Sequence, residues 1–353
     1  MKRFNSFFIA AIALAVTAAF VAPAFPVAAQ SSASLSIVPK RNYTIEAGKS
    51  AKDKLTIRNL DNSKPLDLTL RVVDFTYTDD GGTPKLLLAE DEPQTTWSLK
   101  PFIKIPKTVN IPAKSSKTID MNIDIPAGHG AGSYYSAIVY SSGSPDGGNV
   151  GLNASGVTLA FVSIPGKVNE DLKLEKFGAY SSSAKDKKSA YTSFTMDEPR
   201  NMAYTLKNNG NVTEAPVGSI TVKDIFGRER VISNVNPNKS LALIGQTRTY
   251  TACIELKAQE VDFNGTKSES KDCVSPGLWP GYYTATLNLF YGQNGNNTKE
   301  INGVASFWYM PLWFISVLIV LVTAIAFGIW MIVRKVRNRT PQGARPKKLS
   351  RKK

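Results

Sequence analysis

From Ile301 to Val333 the chain carries no charged residue, and Met310 to Val333 is an almost continuous apolar run of 24 residues. A helix of that length rises about 36 Å, enough to cross the hydrocarbon core of a bilayer. Phe307, Trp308, Tyr309, Trp313 and Phe314 crowd one border of the run, and Trp330 stands near the other. Aromatic rings collect at membrane–water boundaries in this way. Arg334, Lys335, Arg337 and Arg339 follow at once, as cationic residues do on the cytoplasmic side of a span. The sequence therefore predicts one transmembrane helix over 307–333 and a basic cytoplasmic tail over 334–353. Trp308, Tyr309, Trp313, Trp330, Arg334 and Lys335 are its expected membrane-interface residues.

The other end fits the same topology. Lys2 and Arg3 precede an uncharged stretch from Phe7 to Phe25, and Val27-Ala28-Ala29 supplies small residues before Gln30. This is the pattern of a secretory signal peptide over 1–29. Signal and span together place the intervening domains outside a cell membrane. They also account for the charge. The chain of 353 residues has 43 Lys/Arg against 28 Asp/Glu, a formal net charge of +15. Ten of those cations lie in 334–353 and two more at Lys2 and Arg3, with no acidic residue beside them. The middle is left nearly balanced, which excludes a globally basic nucleic-acid-binding domain.

Between the two ends the apolar pattern has a period of two. It runs through Lys54-Leu55-Thr56-Ile57-Arg58, Leu66-Asp67-Leu68-Thr69-Leu70 and Ile119-Asp120-Met121-Asn122-Ile123, with Gly, Pro, Asn and Asp breaks at short spacing. Many short alternating strands with regular turns predict antiparallel β-sandwiches. The plan also repeats. Thr56-Ile57-Arg58-Asn59 has its echo in Thr205-Leu206-Lys207-Asn208. Gly132-Ser133-Tyr134-Tyr135 has its echo in Gly281-Tyr282-Tyr283-Thr284, and both pairs are 149 residues apart. The fold class expected is mainly β: two tandem Ig-like antiparallel β-sandwiches over 31–170 and 171–303, followed by one transmembrane α-helix.

The first copy resembles the extracellular peptidoglycan-binding-like domain of the WxL-interacting protein family of Gram-positive bacterial surfaces. The resemblance is carried by Leu35-Ser36-Ile37-Val38-Pro39, the turn at Gly48, Leu55-Thr56-Ile57-Arg58-Asn59, Trp97, Val109-Asn110-Ile111-Pro112-Ala113-Lys114-Ser115 running into Ile123-Asp124-Ile125-Pro126, and Gly132-Ser133-Tyr134-Tyr135 running into Ala137-Ile138. PapD-like chaperones and other bacterial Ig-like modules share part of this pattern. The second copy departs from it and is similar to Ig-like modules of bacterial surface proteins. The resemblance implies partners, a cell-wall glycan such as peptidoglycan or another surface protein. It transfers no ligand residues. It also implies that the Asn-x-Ser/Thr sequons at Asn42, Asn153, Asn211, Asn238, Asn264 and Asn296 are Asn-rich turns.

Few residues suggest chemistry. Cys253 and Cys273 are the only cysteines, and an even count in an exported domain predicts one disulfide, here stapling a polar loop. His129 is the only histidine and lies in a Gly-rich turn with no nucleophile motif. Glu90-Asp91-Glu92 and the nearby Asp79-Asp80 lack the spacing of a calcium loop and read as solvated turns. As a paired acid and base they would make a wall-active enzyme. The expected protein is not an enzyme and needs no cofactor or metal. An assembly chaperone of the PapD kind is the alternative. Candidate ligand contacts are aromatic: Trp97, Tyr134, Tyr135, Trp279, Tyr282 and Tyr283. Adjacent strand residues face opposite ways, so one tyrosine of each pair is expected to point inward. Trp279, in the turn Gly277-Leu278-Trp279-Pro280-Gly281, is the better exposed candidate.

Overall fold

The computed structural model describes residues 35–78, 82–89, 94–142, 154–181, 190–263, 266–292 and 299–339. The expected signal peptide over 1–29, the acidic residues Asp79-Asp80 and Glu90-Asp91-Glu92, three of the sequons (Asn153, Asn264 and Asn296) and the tail beyond Arg339 lie outside the described residues.

The first unit contains β1 (Leu35–Ser36), β2 (Lys40–Thr44), β3 (Ser50–Asn59), β4 (Leu66–Tyr77), β5 (Pro84–Leu87), β6 (Ile103–Lys104), β7 (Thr108–Ile111), β8 (Ser116–Asp124), β9 (Gly132–Ser142) and β10 (Ala154–Ile164). One sheet has the order β1-β3-β8-β6. The other runs β2-β10-β9-β4-β5, with β7 also on β4. Alternation puts one side of every strand inside. On β3, Leu55, Ile57 and Asn59 are buried while Lys54, Thr56 and Arg58 face solvent. The two inner faces close on a core that includes Ile57, Leu68, Ile111, Ile123 and Ile138.

The second unit contains β11 (Leu172–Tyr180), β12 (Tyr191–Thr192), β13 (Phe194–Thr195), β14 (Asn201–Asn208), β15 (Val217–Asp224), β16 (Glu229–Ile232), β17 (Thr247–Cys253), β18 (Leu256–Phe263), β19 (Thr266–Cys273), β20 (Gly281–Tyr291) and β21 (Lys299–Tyr309). Its sheets are β12-β11-β14-β17 and β13-β21-β20-β15-β16, with β18-β19 as a separate hairpin. The repeat read from two short motifs is thus a repeat of topology. β1-β3-β8 corresponds to β11-β14-β17, and β2-β10-β9-β4 corresponds to β13-β21-β20-β15. In both units a short early strand pairs in parallel with the last strand.

The repeated asparagines explain why the first motif recurs. Asn59 is buried at the end of β3. Its Nδ2 donates to the carbonyls of Lys64, Ile111 and Pro112, at 2.9, 3.2 and 3.3 Å, and its Oδ1 accepts from Asp61 N at 2.9 Å. Asn208 does the same at the end of β14. It donates to Val212 and Ala242 carbonyls at 2.7 and 3.0 Å and accepts from Gly210 N at 2.9 Å. A carboxamide can satisfy donors and acceptors of a buried turn at once, so each asparagine pins a turn that would otherwise bury unpaired carbonyls. A further match escaped the sequence reading. The turns Pro112-Ala113-Lys114-Ser115 and Pro237-Asn238-Lys239-Ser240 each place lysine at positive φ, 54° and 47°.

Three expected boundaries near the C-terminus are corrected. The second sandwich does not end at residue 303, and the helix does not begin at 307. β21 continues to Tyr309, paired with β20 residue for residue from Gly281↔Tyr309 to Tyr291↔Lys299. Phe307 and Tyr309 point into the core and Trp308 points out. The aromatic run obeys the strand period, and uncharged composition alone does not reveal that. α1 (Leu312–Arg339) starts after Pro311, whose carbonyl accepts from Phe314 N at 2.9 Å and Ile315 N at 3.1 Å. Proline suits a helix start because it has no N–H to leave unpaired. The helix also outlasts the predicted end at Val333, because Arg and Lys are good helix formers and favour a helix C-terminus. Its 28 residues rise about 42 Å. It is long and apolar enough to cross a membrane.

The two sandwiches are joined by a buried seam. Val73, Phe75, Tyr135, Ala137, Val139 and Phe161 of the first unit share an apolar cluster with Leu243 of the second, and Leu241 and Ile244 pack against it. Hydrogen bonds surround the cluster. Tyr77 N donates to Gln246 Oε1 at 3.0 Å, Tyr77 Oη donates to the Leu241 carbonyl at 3.0 Å, and Arg248 donates to Tyr77 Oη at 2.7 Å. On the other side Ser133 N donates to the Asn211 carbonyl at 3.0 Å, and Asn211 Nδ2 donates to the Ala131 carbonyl at 3.0 Å. Gly132 belongs here for a specific reason. Its φ is 150°, and a Cβ would come 2.7 Å from the Asn211 carbonyl oxygen, closer than real Cβ contacts allow. The first sandwich sits against the end of the second that holds Asn208 and Asn211. The helix leaves from the opposite end, after Tyr309.

Candidate functional site

The structure divides the aromatic candidates. Tyr135 is fully buried, with Phe75 at 5.2 Å, Phe161 at 5.7 Å and Trp97 stacked at 5.9 Å between ring centroids. Burial raises its phenol well above the usual range. Tyr135 and its partner Trp97 are parts of the seam between sandwiches and do not form a glycan-facing platform. Tyr283 is also inward, stacked on Phe307 at 5.2 Å, and donates to the Trp279 carbonyl at 2.7 Å. Both are corrections to the candidate ligand contacts. Strand alternation splits each pair: Tyr134 and Tyr283 face the cores of their own sandwiches, whereas Tyr135 faces the opposite side of its sheet and is buried there by the seam. Tyr134 lies partly buried at the edge of the first sandwich's core, and Tyr282 lies outward and is covered in part. Tyr134 packs against His129 at 4.6 Å and donates to the Gly130 carbonyl at 3.0 Å. Tyr282 lies 5.1 Å from Trp308.

Trp279 remains open, 65% exposed. The Arg228 guanidinium lies 5.6 Å from its ring centroid and 5.7 Å from that of Phe226. Arg228 is held in turn by the Asp224 carboxylate, 2.6 Å from Nε. Asp224 also accepts from Phe226 N and Arg228 N, each at 2.9 Å. These bonds, together with the Arg228 charge, hold Asp224 below the usual carboxylate range against its partial desolvation. The β15–β16 turn therefore presents Ile225 and Phe226 outward on a fixed scaffold.

Cys253 and Cys273 form the expected disulfide. The intervening segment is the β18–β19 hairpin, a regular element where a loop was expected. Both sulfur atoms lie 3.4 Å from Asn201 Oδ1, so the bond clamps the hairpin to the start of β14. Among the expected membrane-interface residues, Trp313 and Trp330 lie on the exposed surface of α1, and Arg334 stacks on Trp330 at 5.2 Å. Lys335 follows on the same helix. Tyr309 is corrected to a core residue of the second sandwich, and Trp308 to an outward strand residue.

His129 is packed between Phe102 and Tyr134, at 4.9 and 4.6 Å. Among the described residues no group of three or more His, Cys, Asp or Glu is placed to hold a metal ion.

The sequence reading missed two places. The first is an open cleft of about 620 Å³ on the first sandwich, lined by Lys52, Asp53, Lys54, Lys104, Asp120 and Asn122 among others. It lies on the β3-β8-β6 sheet, where register sets Lys52 opposite Asn122 and Lys54 opposite Asp120, and brings Lys104 beside Asn122. Lys104 pairs with Asp124 at 2.9 Å. Asp53 is tied down by Tyr43 at 2.6 Å and by Arg41 at 3.7 Å. Ile105, Pro106 and Met121 complete the lining, so the cleft is mixed, with Lys52 and Lys54 both exposed on it. The alternating lysines of β3 were visible in the sequence; their meeting with Lys104 was not. The second place is Arg248, stacked between Tyr77 at 4.9 Å and Tyr250 at 5.3 Å in the interdomain seam. Burial and then the Arg248 charge lower the pKa of Lys40 beside it.

No protein-family model and no curated protein matches the chain. Solved structures with a similar strand arrangement include the class 5 fimbriae chaperone CfaA, at 13% identity. That match covers 79% of this chain and 100% of the other with a TM-score of 0.32. The Escherichia coli chaperone DraB is 11% identical over 79% of this chain and 98% of its own, with a TM-score of 0.31. A putative carbohydrate-binding protein from Bacteroides ovatus is 12% identical over 77% of this chain and 68% of its own, with a TM-score of 0.25. Similarities of this size do not extend to function.

Proposed function

We propose that this chain is a non-enzymatic, single-pass cell-surface protein whose fused sandwiches hold a recognition face away from the membrane. Its ligand is a polar, anionic cell-wall polymer. The carrying observation is the position of the lysine-lined cleft. It belongs to the sandwich farther from the helix, which a buried seam fixes to the membrane-linked one. Cations spaced along one sheet face can follow a repeating anionic chain, and the open cleft admits a polymer from the side. The resemblance of the first sandwich to the WxL-interacting family agrees with a wall ligand.

The test is co-sedimentation of the ectodomain, residues 30–309, with insoluble cell wall at low and moderate salt. Wild type is expected to pellet, and a Lys52→Glu, Lys54→Glu, Lys104→Glu variant to stay in solution while Trp279→Ala still pellets. Wild type that does not pellet overturns the wall reading. Pelleting lost with Trp279→Ala and kept by the lysine variant moves the site to the aromatic end.

One observation favours a second reading, an assembly chaperone that takes a partner's strand. Among the described residues β21 is paired with β13 only at Trp308 and Tyr309, so residues 299–306 offer an open sheet edge of the kind that accepts an added strand. Co-purification of an exported subunit, with no wall binding, would place the function at that edge.

A further inference from the structure

Six exposed apolar side chains that are scattered in sequence come together at one end of the second sandwich: Phe194, Met196, Ile225, Phe226, Trp279 and Trp308. Their exposures run from 43% at Trp308 to 76% at Phe226. The register puts them there. Asp224, before the β15–β16 turn, pairs with Tyr283. Tyr282 pairs with Trp308, and Phe194 pairs with Trp308 on its other side. Met310 N then donates to the Thr195 carbonyl at 2.9 Å, so the sandwich holds the chain to within one residue of Pro311. α1 begins at Leu312. Two linking residues reach at most about 7 Å. The apolar end of the sandwich therefore cannot stand far from the first turn of the helix, where Leu312, Trp313 and Phe314 enter the apolar run.

We infer that this end of the sandwich is a second membrane contact. The turn Ile225-Phe226 and the Trp279 loop rest in the outer interface of the bilayer crossed by α1. The inference rests on the anchored reading above. An exposed apolar cluster of this kind marks an interaction surface, and tethering beside the span fixes which surface it meets. Tryptophan and phenylalanine rings are the side chains that partition into the headgroup region. Two carboxylates at this end are already engaged, and the exposed Asp197 beside Met196 is the one left to face the headgroup region. Asp224 is held by Arg228 and two backbone N–H groups, and Glu198 accepts from Ser275 Oγ and Leu278 N. Arg228, over both rings, is placed to meet lipid phosphate. The contact would stop the rod of two sandwiches from swinging about its linker and set the direction of the lysine cleft relative to the wall.

The full-length protein in lipid nanodiscs tests this. The native cysteines are bonded to each other, so one added cysteine is a unique labelling site. An environment-sensitive fluorophore is placed in turn at Phe226→Cys, at Asn238→Cys on the far end of the sandwich, and at Val320→Cys within the helix. Nitroxide lipids quench at headgroup or mid-chain depth. The expected result is quenching at 226 by the headgroup nitroxide, none at 238, and quenching at 320 by the mid-chain nitroxide. Quenching at 320 with none at 226 overturns the second contact and leaves the anchor intact. No quenching at 320 overturns the anchored reading, and this inference falls with it. Phe226 and Trp279 are exposed, so Phe226→Ser with Trp279→Ser should fold normally. That pair is expected to raise the rotational freedom of a label at 238 in nanodiscs, and an unchanged anisotropy there also counts against the contact.

Discussion

Glu214 shows how one burial choice makes stability depend on pH. It is 2% exposed, and its Oε1 has no hydrogen-bond partner. Burial, reinforced by the Glu170 carboxylate, pushes its pKa up to about 7, although Gly292 N–H and Lys299 favour the charged form. A carboxyl raised above its unfolded value stabilises the fold while it is protonated. That contribution is complete below the unfolded pKa near 4.5 and is lost as pH rises through about 7. Glu214→Gln keeps the shape and removes the charge. Relative to it, the wild-type ectodomain is expected to lose up to about 3 kcal/mol between pH 4.5 and 8, read by denaturant unfolding across that range. Parallel pH curves for the two proteins would show that Glu214 ionises in the fold without cost. The glutamate was in plain view in the sequence. Its burial was not, because the segments that enclose it come from residues 170, 242, 292 and 299.

Among elements, the β18–β19 hairpin depends most on a single bond. It forms its own two-stranded sheet, and isolated hairpins are marginal in water. The Cys253–Cys273 bond, closing 20 residues, ties the end of β19 to the end of β17 beside Asn201 and Arg200. Replacing both cysteines by serine should cost about 3 kcal/mol by the loop-entropy argument. The loss should be local. Limited proteolysis is expected to cut within 256–273 while the rest of the second sandwich stays intact, whereas cleavage spread over β14 and β17 would mean the bond supports the whole sheet. The disulfide was legible from the cysteine count and the expected export alone. The hairpin was not, because β19 is a run of Lys, Ser, Glu and Asp with no apolar face, and the apolar residues of β18, Leu256, Ala258, Val261 and Phe263, do not keep a period of two. The end of β21 was misread for the opposite reason. Phe307, Trp308 and Tyr309 are apolar throughout, and only their pairing with β20 reveals that two face in and one faces out.

At the scale of the molecule, the two sandwiches should behave as one cooperative body. Leu243 is fully buried against Val73, Phe75 and Tyr135 across the seam. A buried leucine cut to alanine costs roughly 2–5 kcal/mol. Leu243→Asp also buries a charge there, so it should uncouple the units. Calorimetry of the wild-type ectodomain is expected to give one transition and Leu243→Asp two. Two transitions in the wild type would mean the seam is too weak to hold the proposed recognition face in place.

The sequence by itself determined the long apolar helix, the mainly β class, the repeated plan and the disulfide. Each is written in local composition or in a period of two, which neighbours along the chain are enough to express. Only the tertiary structure decided the fates of Tyr135 and Tyr283, the seam around Leu243 and Arg248, the lysine cleft, and the gathering of Phe226, Trp279 and Trp308 beside the helix. Those depend on register and on contacts between residues as far apart as Tyr77 and Arg248. No local pattern records which strand will lie opposite which, because that is settled by the joint packing of two sheets.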